Sequence, residues 1–178
     1  RRDGARAESL ARHERDRLDR RKLAGDRRWR EDGTFSGFVS GDQVILTSWD
    51  DSAEYHVVRV SDGEEVFSAD GYPRGVCQGV IYSVDAGDLI ATSASSGEEL
   101  WDEPLGDESA AACGDSGVFV IDDGDVRSLD PGSSDKRWSK HVKGASSIWT
   151  ADGVVVVHGD DIVGLDAGDG EKIWSVDG

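Results

Sequence analysis

From residue 31 onward, short apolar runs alternate with clusters of Gly, Asp and Ser. Four β-rich runs stand out: QVILTSW (43–49), GVIYSV (79–84), GVFVID (117–122) and GVVVVH (153–158). Each follows a segment of small or apolar residues, namely TFSGFVS, RGVCQ, SAAAC and SSIWT. A turn of Asp and Gly comes next, as in DAGD (85–88) or DDGD (122–125), and then a third run such as DLIAT or DIVGL. Runs of this length, bounded by residues that suit tight turns, predict short strands joined as hairpins. No apolar run approaches the roughly 18 residues of a membrane helix.

The pattern is periodic. A large aromatic follows a Gly-acidic turn in DGEEVF (ending at Phe67), SGEELW (Trp101), SSDKRW (Trp138) and DGEKIW (Trp174), at spacings of 34, 37 and 36 residues. A fainter copy, AGDRRW, ends at Trp29, 38 residues before Phe67. Each period holds four short strands, which predicts β-propeller blades and not a solenoid. A small residue lies ten positions before each tryptophan: Ala91, Ser128 and Gly164. Four positions before the aromatic, Gly97 and Gly170 supply a backbone turn at positive φ, with Ser134 in the third copy. The small residues are read as seats on which a buried ring stacks against the backbone of a neighbouring blade. Each ring would withdraw roughly 150–250 Å² from water.

These residues resemble a known family. LDAGDGEKIW (165–174), preceded by DGVVVV (152–157), is similar to the tryptophan-docking motif of the pyrroloquinoline-quinone-like (PQQ-like) β-propeller repeat. The third copy, SLDPGSSDKRW (128–138), keeps Asp130 and Trp138. The second, ATSASSGEELW (91–101), keeps Ala91, Ser96, Gly97 and Trp101 but has Ser93 in place of Asp; the first has Phe67 in place of Trp. The resemblance covers residues 31–178 and implies four four-stranded antiparallel blades, over about 31–69, 70–104, 105–141 and 142–178. It also implies a family of mixed roles: quinoprotein dehydrogenases, outer-membrane assembly lipoproteins and sensor domains of bacterial receptor kinases. The dehydrogenases hold their quinone on the axis of an eight-bladed ring. None of its ligands maps onto this chain, so PQQ is not expected for this segment alone.

Charge divides the chain. Residues 1–30 carry twelve basic and six acidic residues, and the remainder carries eight basic and 31 acidic, within a net charge of −17 over 178 residues. An acidic body of this kind excludes nucleic acid and anionic lipid as its partners. The excess of Asp fits Asp-rich turns in a GC-rich coding sequence, or alternatively a salt-adapted surface. Residues 1–30 read as an Arg-rich helical or disordered arm that contributes little to a core. No methionine occurs, so the chain is expected to be excised or processed from a longer one.

Candidate chemistry is sparse. ACGDSG (112–117) contains the Gly-Asp-Ser-Gly that surrounds the nucleophile of chymotrypsin-like proteases, but no segment supplies the histidine base. It occupies the turn between first and second strands, and a turn is the reading adopted. His13, His56, His141 and His158 show no ligand spacing, and the Asp clusters at 122–125 and 160–161 lack the terminal Glu of a calcium loop. No catalytic or metal site is assigned.

Cys77 and Cys113 lie 36 residues apart, each at the end of a first strand. In a propeller, neighbouring first strands converge on the axis. The pair reads first as two buried free thiols and alternatively as a disulfide between blades, which would fit an extracytoplasmic location. The functional expectation is a non-catalytic binding or scaffolding segment that offers rim loops to a protein or small ligand, in the cell envelope or outside the cell. The alternatives are a fragment of a quinoprotein dehydrogenase or a kinase sensor domain. The four blades are expected to form an open arc, completed by missing sequence or by a partner copy.

Overall fold

A computed structural model describes residues 35–48, 53–106 and 110–178. The arm expected over residues 1–30, with His13 and Trp29, lies outside them. The described chain is all-β. Blade 1 comprises β1 (Phe35–Ser40), β2 (Gln43–Ser48), β3 (Glu54–Arg59) and β4 (Glu65–Asp70). Blade 2 comprises β5 (Tyr72–Cys77), β6 (Val80–Asp85), β7 (Asp88–Ser93) and β8 (Glu99–Pro104). Blade 3 comprises β9 (Ala110–Gly114), β10 (Gly117–Asp122), β11 (Asp125–Leu129) and β12 (Lys136–His141). Blade 4 comprises β13 (Ser147–Ala151), β14 (Val154–His158), β15 (Asp161–Asp166) and β16 (Lys172–Asp177). Each set of four pairs within itself, antiparallel and in chain order. These are the four propeller blades that the period predicts, with Phe67, Trp101, Trp138 and Trp174 each on a last strand.

The core lies between the blades, in three layers. β10 explains why the second strands are so apolar. Val118 and Val120 face a layer shared with blade 2, and the alternating Phe119 and Ile121 face one shared with blade 4. A strand buried on both faces needs an unbroken apolar run, and period-2 alternation sorts its side chains to two neighbours. The first and second blades share a third layer around Ile45, Tyr55, Val57 and Ile81. Fourth strands form the outer edges and are mostly exposed and charged, as in KRWSKH of β12. Charge on an edge strand discourages pairing with other chains.

The turn between third and fourth strands recurs in every blade. Gly63, Gly97, Ser134 and Gly170 take φ values of 72°, 74°, 59° and 74°. Each donates its N–H to the carbonyl four residues earlier: Arg59, Ser93, Asp130 and Asp166, at 2.8–3.0 Å. The motif aspartates serve this turn, since Asp130 and Asp166 accept the N–H groups of Gly132 and Gly168 through Oδ1. Each turn is accompanied by a register shift between the strands it joins, at Val57/Val58, Ala91/Thr92, Ser128/Leu129 and Gly164/Leu165 of the third strands. The shift sets the aromatic directly across from a third-strand residue.

No apolar layer joins blades 1 and 4 among the described residues, so the four blades form an arc. Ser134 is the only one of the four turn residues to carry a side chain at left-handed φ, a conformation that glycine adopts without steric cost. Ser134→Gly is expected to raise stability by about 0.5–1 kcal/mol, read as a higher urea midpoint at unchanged slope.

Candidate functional site

Two features can carry function: the docking rows that hold blade to blade, and a cleft at one end of the inner strands. Each docking row runs across one blade, residue paired with residue. The rows are Phe38–Ile45–Val57–Phe67, Gly75–Tyr82–Ala91–Trp101, Ala112–Phe119–Ser128–Trp138 and Trp149–Val156–Gly164–Trp174. The small residues Ala91, Ser128 and Gly164 are therefore cross-strand partners of the tryptophans on the same blade. A hairpin pairing brings ten-apart residues opposite each other, which explains the spacing. A Cβ on Gly164 would overlap the Trp174 indole.

The neighbouring blade supplies the turn glycine. A Cβ at Gly97 would come within 2.7 Å of the Phe67 ring, and one at Gly170 within 2.7 Å of the Trp138 ring. Each ring is thus held between its own blade and the left-handed turn of the next. Tyr82 and Phe119 pack against Trp101 and Trp138 with centroids 5.8 Å apart, and Tyr55 meets Phe67 edge-on at 6.3 Å. The Trp101 Nε1–H donates to Pro131 O at 2.8 Å, and the Trp138 Nε1–H to Ala167 O at 3.0 Å. Phe67 has no such donor. The equivalent carbonyl, Ala94 O, accepts instead from the Gln43 side-chain amide at 2.8 Å. Nothing in the repeat pattern marks Gln43, because it compensates for a departure from that pattern.

Trp174 differs from its counterparts. It has its seat, Gly164, but no following turn among the described residues, and it is 38% exposed.

Cys77 and Cys113 are bonded, with Cα atoms 6.0 Å apart. The leading expectation of two free thiols is corrected: β5 and β9 adjoin closely enough to bring the sulfurs together, a proximity in space that residue types do not encode. Closing a loop of this length stabilises the chain by about 3–4 kcal/mol in the chain-entropy account.

The cleft lies between the β9–β10 and β13–β14 turns, and its volume is about 290 Å³. Asp115, Ser116 and Asp152 line it together with Phe119 and Val154. Thr150 Oγ1 donates to Cys113 O at 2.9 Å, Gln78 Nε2 to Asp115 O at 2.9 Å, and Arg137 Nη1 to Ser116 O at 2.9 Å. These bonds hold the β9–β10 turn and the end of β9 from three blades. GDSG (114–117) is the β9–β10 turn, and no histidine lines the cleft around Ser116. Of the other histidines, His56 contacts Glu65, His141 contacts Asp125, and His158 contacts Ser146. Among the described residues no three His, Cys, Asp or Glu side chains gather to hold a metal ion. No helix among them is long and apolar enough to cross a membrane.

Two consequences are measurable. Trp101→Ala should cost about 3–5 kcal/mol in urea unfolding, and Trp174→Ala roughly half that or less, because one face of its ring is bare. Tyr82, 1% exposed, has a hydroxyl with no hydrogen-bond partner among the described residues. Burial, with the Asp130 charge adding to it, pushes its pKa from 10.0 up to about 12. The unfolded chain then loses this proton before the folded one. The stabilisation is complete below about pH 10 and falls as pH rises toward 12, by about 2–3 kcal/mol. Tyr82→Phe should flatten that alkaline limb and leave neutral-pH stability nearly unchanged.

Residues 69–177 match the family model described as outer membrane protein assembly factor BamB. Among solved structures, BamB from Moraxella catarrhalis is similar at 22% identity and a TM-score of 0.59, over 80% of this chain and 48% of that one. Quinohemoprotein alcohol dehydrogenase from Comamonas testosteroni is similar at 14% identity and a TM-score of 0.61, over 80% and 34%. The computationally designed Ika8 protein is similar at 18% identity and a TM-score of 0.64, over 80% and 48%. These likenesses are of fold, and the chain spans about half or less of the length of each. No curated protein matches by sequence. With the matched region covering more than half of the chain, and with its docking rows in place, the protein belongs to the BamB family of PQQ-like β-propeller repeats.

Proposed function

We propose that this chain is a non-catalytic binding segment that presents the turns at one end of its blades to a protein partner outside the cytoplasm. One observation carries the reading. The side chains that recur with the blade period, the aromatics, their seats and the turn glycines, are spent on holding blades together. Recognition is left to residues that do not recur, and Asp115, Ser116, Thr150 and Asp152 gather in the lining of the cleft. Side-chain bonds from Gln78, Arg137 and Thr150 to backbone carbonyls hold the β9–β10 turn still, which lowers the ordering cost of binding. The Cys77–Cys113 bond supports an oxidising compartment. The described cleft suits a quinone cofactor poorly. PQQ is a tricarboxylate, and the lining offers two carboxylates with no lysine or arginine.

The experiment has two arms. A photo-crosslinking amino acid at position 115 or 152 should yield a discrete protein adduct in cells, and one at Glu99 on the outer strand β8 should not. Adducts at 99 alone would sink the cleft reading. Adding PQQ and calcium to the purified protein should give no alcohol-dependent dye reduction; turnover would replace this reading with the dehydrogenase one.

A further inference from the structure

The outer part of the interface between blades 3 and 4 is built differently from the one before it. Between blades 2 and 3, Glu103 stands two residues after the docking Trp101 and pairs with Arg127 at 3.1 Å. Arg127 pairs in turn with Asp122 at 3.0 Å. Arg127 immediately precedes the seat Ser128, and Asp122 lies three residues after Phe119 of the same docking row. Counted in the same way from Trp138, Gly164 and Val156, the equivalent residues at the next interface are Lys140, Val163 and Gly159. An acid, a cation and an acid have become Lys, Val and Gly. Arg to Val and Asp to Gly both remove bulk, and Lys140 meets no acid in the place of Arg127.

A cleft of about 420 Å³ opens at this point. Val142, Val163 and Leu165, all buried, give it an apolar lining. Cations stand on both walls. Lys140 shares a strand face with Trp138, whose indole donates to Ala167 O of blade 4, so it faces blade 4. Lys172 is paired with Leu165, which packs in the layer shared with blade 3, so it faces blade 3. Residues 31–178 hold four lysines, and three of them, Lys140, Lys143 and Lys172, line this cleft. Lys143 pairs with Asp160, and His141 with Asp125. Lys140 and Lys172 make no ion pair among the described residues. The Asp160 N–H donates to Lys143 O at 3.0 Å, which ties the β14–β15 turn to the connection between the blades and holds the cleft open.

We propose that this cleft binds a small organic acid with an apolar body. Its carboxylate lies between Lys140 and Lys172, supplying the acid that Glu103 supplies to Arg127 one interface earlier. Its apolar part covers Val142, Val163 and Leu165. The charge of the surrounding body sets the size of the occupant. With 31 acids against eight bases over residues 31–178, an acidic polypeptide or an anionic membrane spread over the surface is repelled. A compact anion confined to the cleft meets the lysines at short range, and the acids beyond it are screened. The site lies among outer strands, away from the axis. It is also at the opposite end of β14 from the β13–β14 turn, so this proposal and the protein-binding one can fail independently.

Octanoate titrated into the full 178-residue chain, followed through backbone amide NMR shifts, tests this directly. Shifts should saturate at residues 140–143, 160–163 and 172, with none at 115, 116 or 152, and affinity should fall as salt is raised. Octanol, which has the body without the charge, and acetate, which has the charge without the body, should each bind about tenfold more weakly or worse. Lys140→Glu, which restores the residue found on blade 2, and Lys172→Ala should each weaken octanoate binding about tenfold. Both side chains are exposed, so an unchanged urea midpoint is expected and shows the fold intact. Should either variant unfold, the comparison of the three probes on the parent chain decides alone. Absence of saturable shifts at these residues overturns the proposal, as do shifts confined to the other cleft. Octanol binding as tightly as octanoate, or folded variants that bind octanoate undiminished, overturns it as well.

Discussion

A flat aromatic ring can join two β-sheets only when neither surface it meets carries bulk. In this protein one surface is a small cross-strand neighbour on the ring's own blade. The other is a left-handed turn on the next blade, where the absence of a Cβ lets backbone lie on the ring. The indole N–H completes the contact by donating to a carbonyl at the start of that turn. Everything else in the arc follows from repeating this arrangement. It sets the blade order, places the second strands between two apolar layers and leaves the fourth strands as charged outer edges.

The first interface shows that the constraint is about satisfied groups as well as shape. Phe67 fills the ring's place but leaves Ala94 O without the indole donor found elsewhere, and Gln43 reaches across to supply it. A buried carbonyl left unpaired costs about 1–3 kcal/mol, enough to account for a glutamine at this position. Ser134 is a second local departure, with a side chain where the motif has glycine. Both exceptions sit within an otherwise regular frame, whose redundancy tolerates them.

Regularity also separates architecture from function. Side chains that recur with the period face inward, toward the layers, and are tied to packing. Freedom to vary lies in the turns at the blade ends, and there Asp115, Ser116 and Asp152 come together from two blades. The same logic explains why Gly-Asp-Ser-Gly at 114–117 is a turn: glycines and a short polar pair suit a two-residue hairpin connection. Its resemblance to a protease signature is one of composition.

The chain alone determined a good deal. Aromatics at intervals of 34 to 37 residues, glycines four positions ahead of them and four short apolar runs per interval specified four blades and the strand that each aromatic occupies. Such features are local: strand periodicity and turn chemistry are set by residues within about ten positions of one another. Tertiary structure decided the rest, because it concerns which distant groups meet. It laid the turns at Gly97 and Gly170 on the rings of the preceding blades, and drew Gln43 to Ala94 across 51 residues. It joined Cys77 to Cys113, and among the described residues it laid a neighbouring turn on Trp138 but none on Trp174. A motif states what a ring can bind; only the arrangement of blades states whether the partner is there.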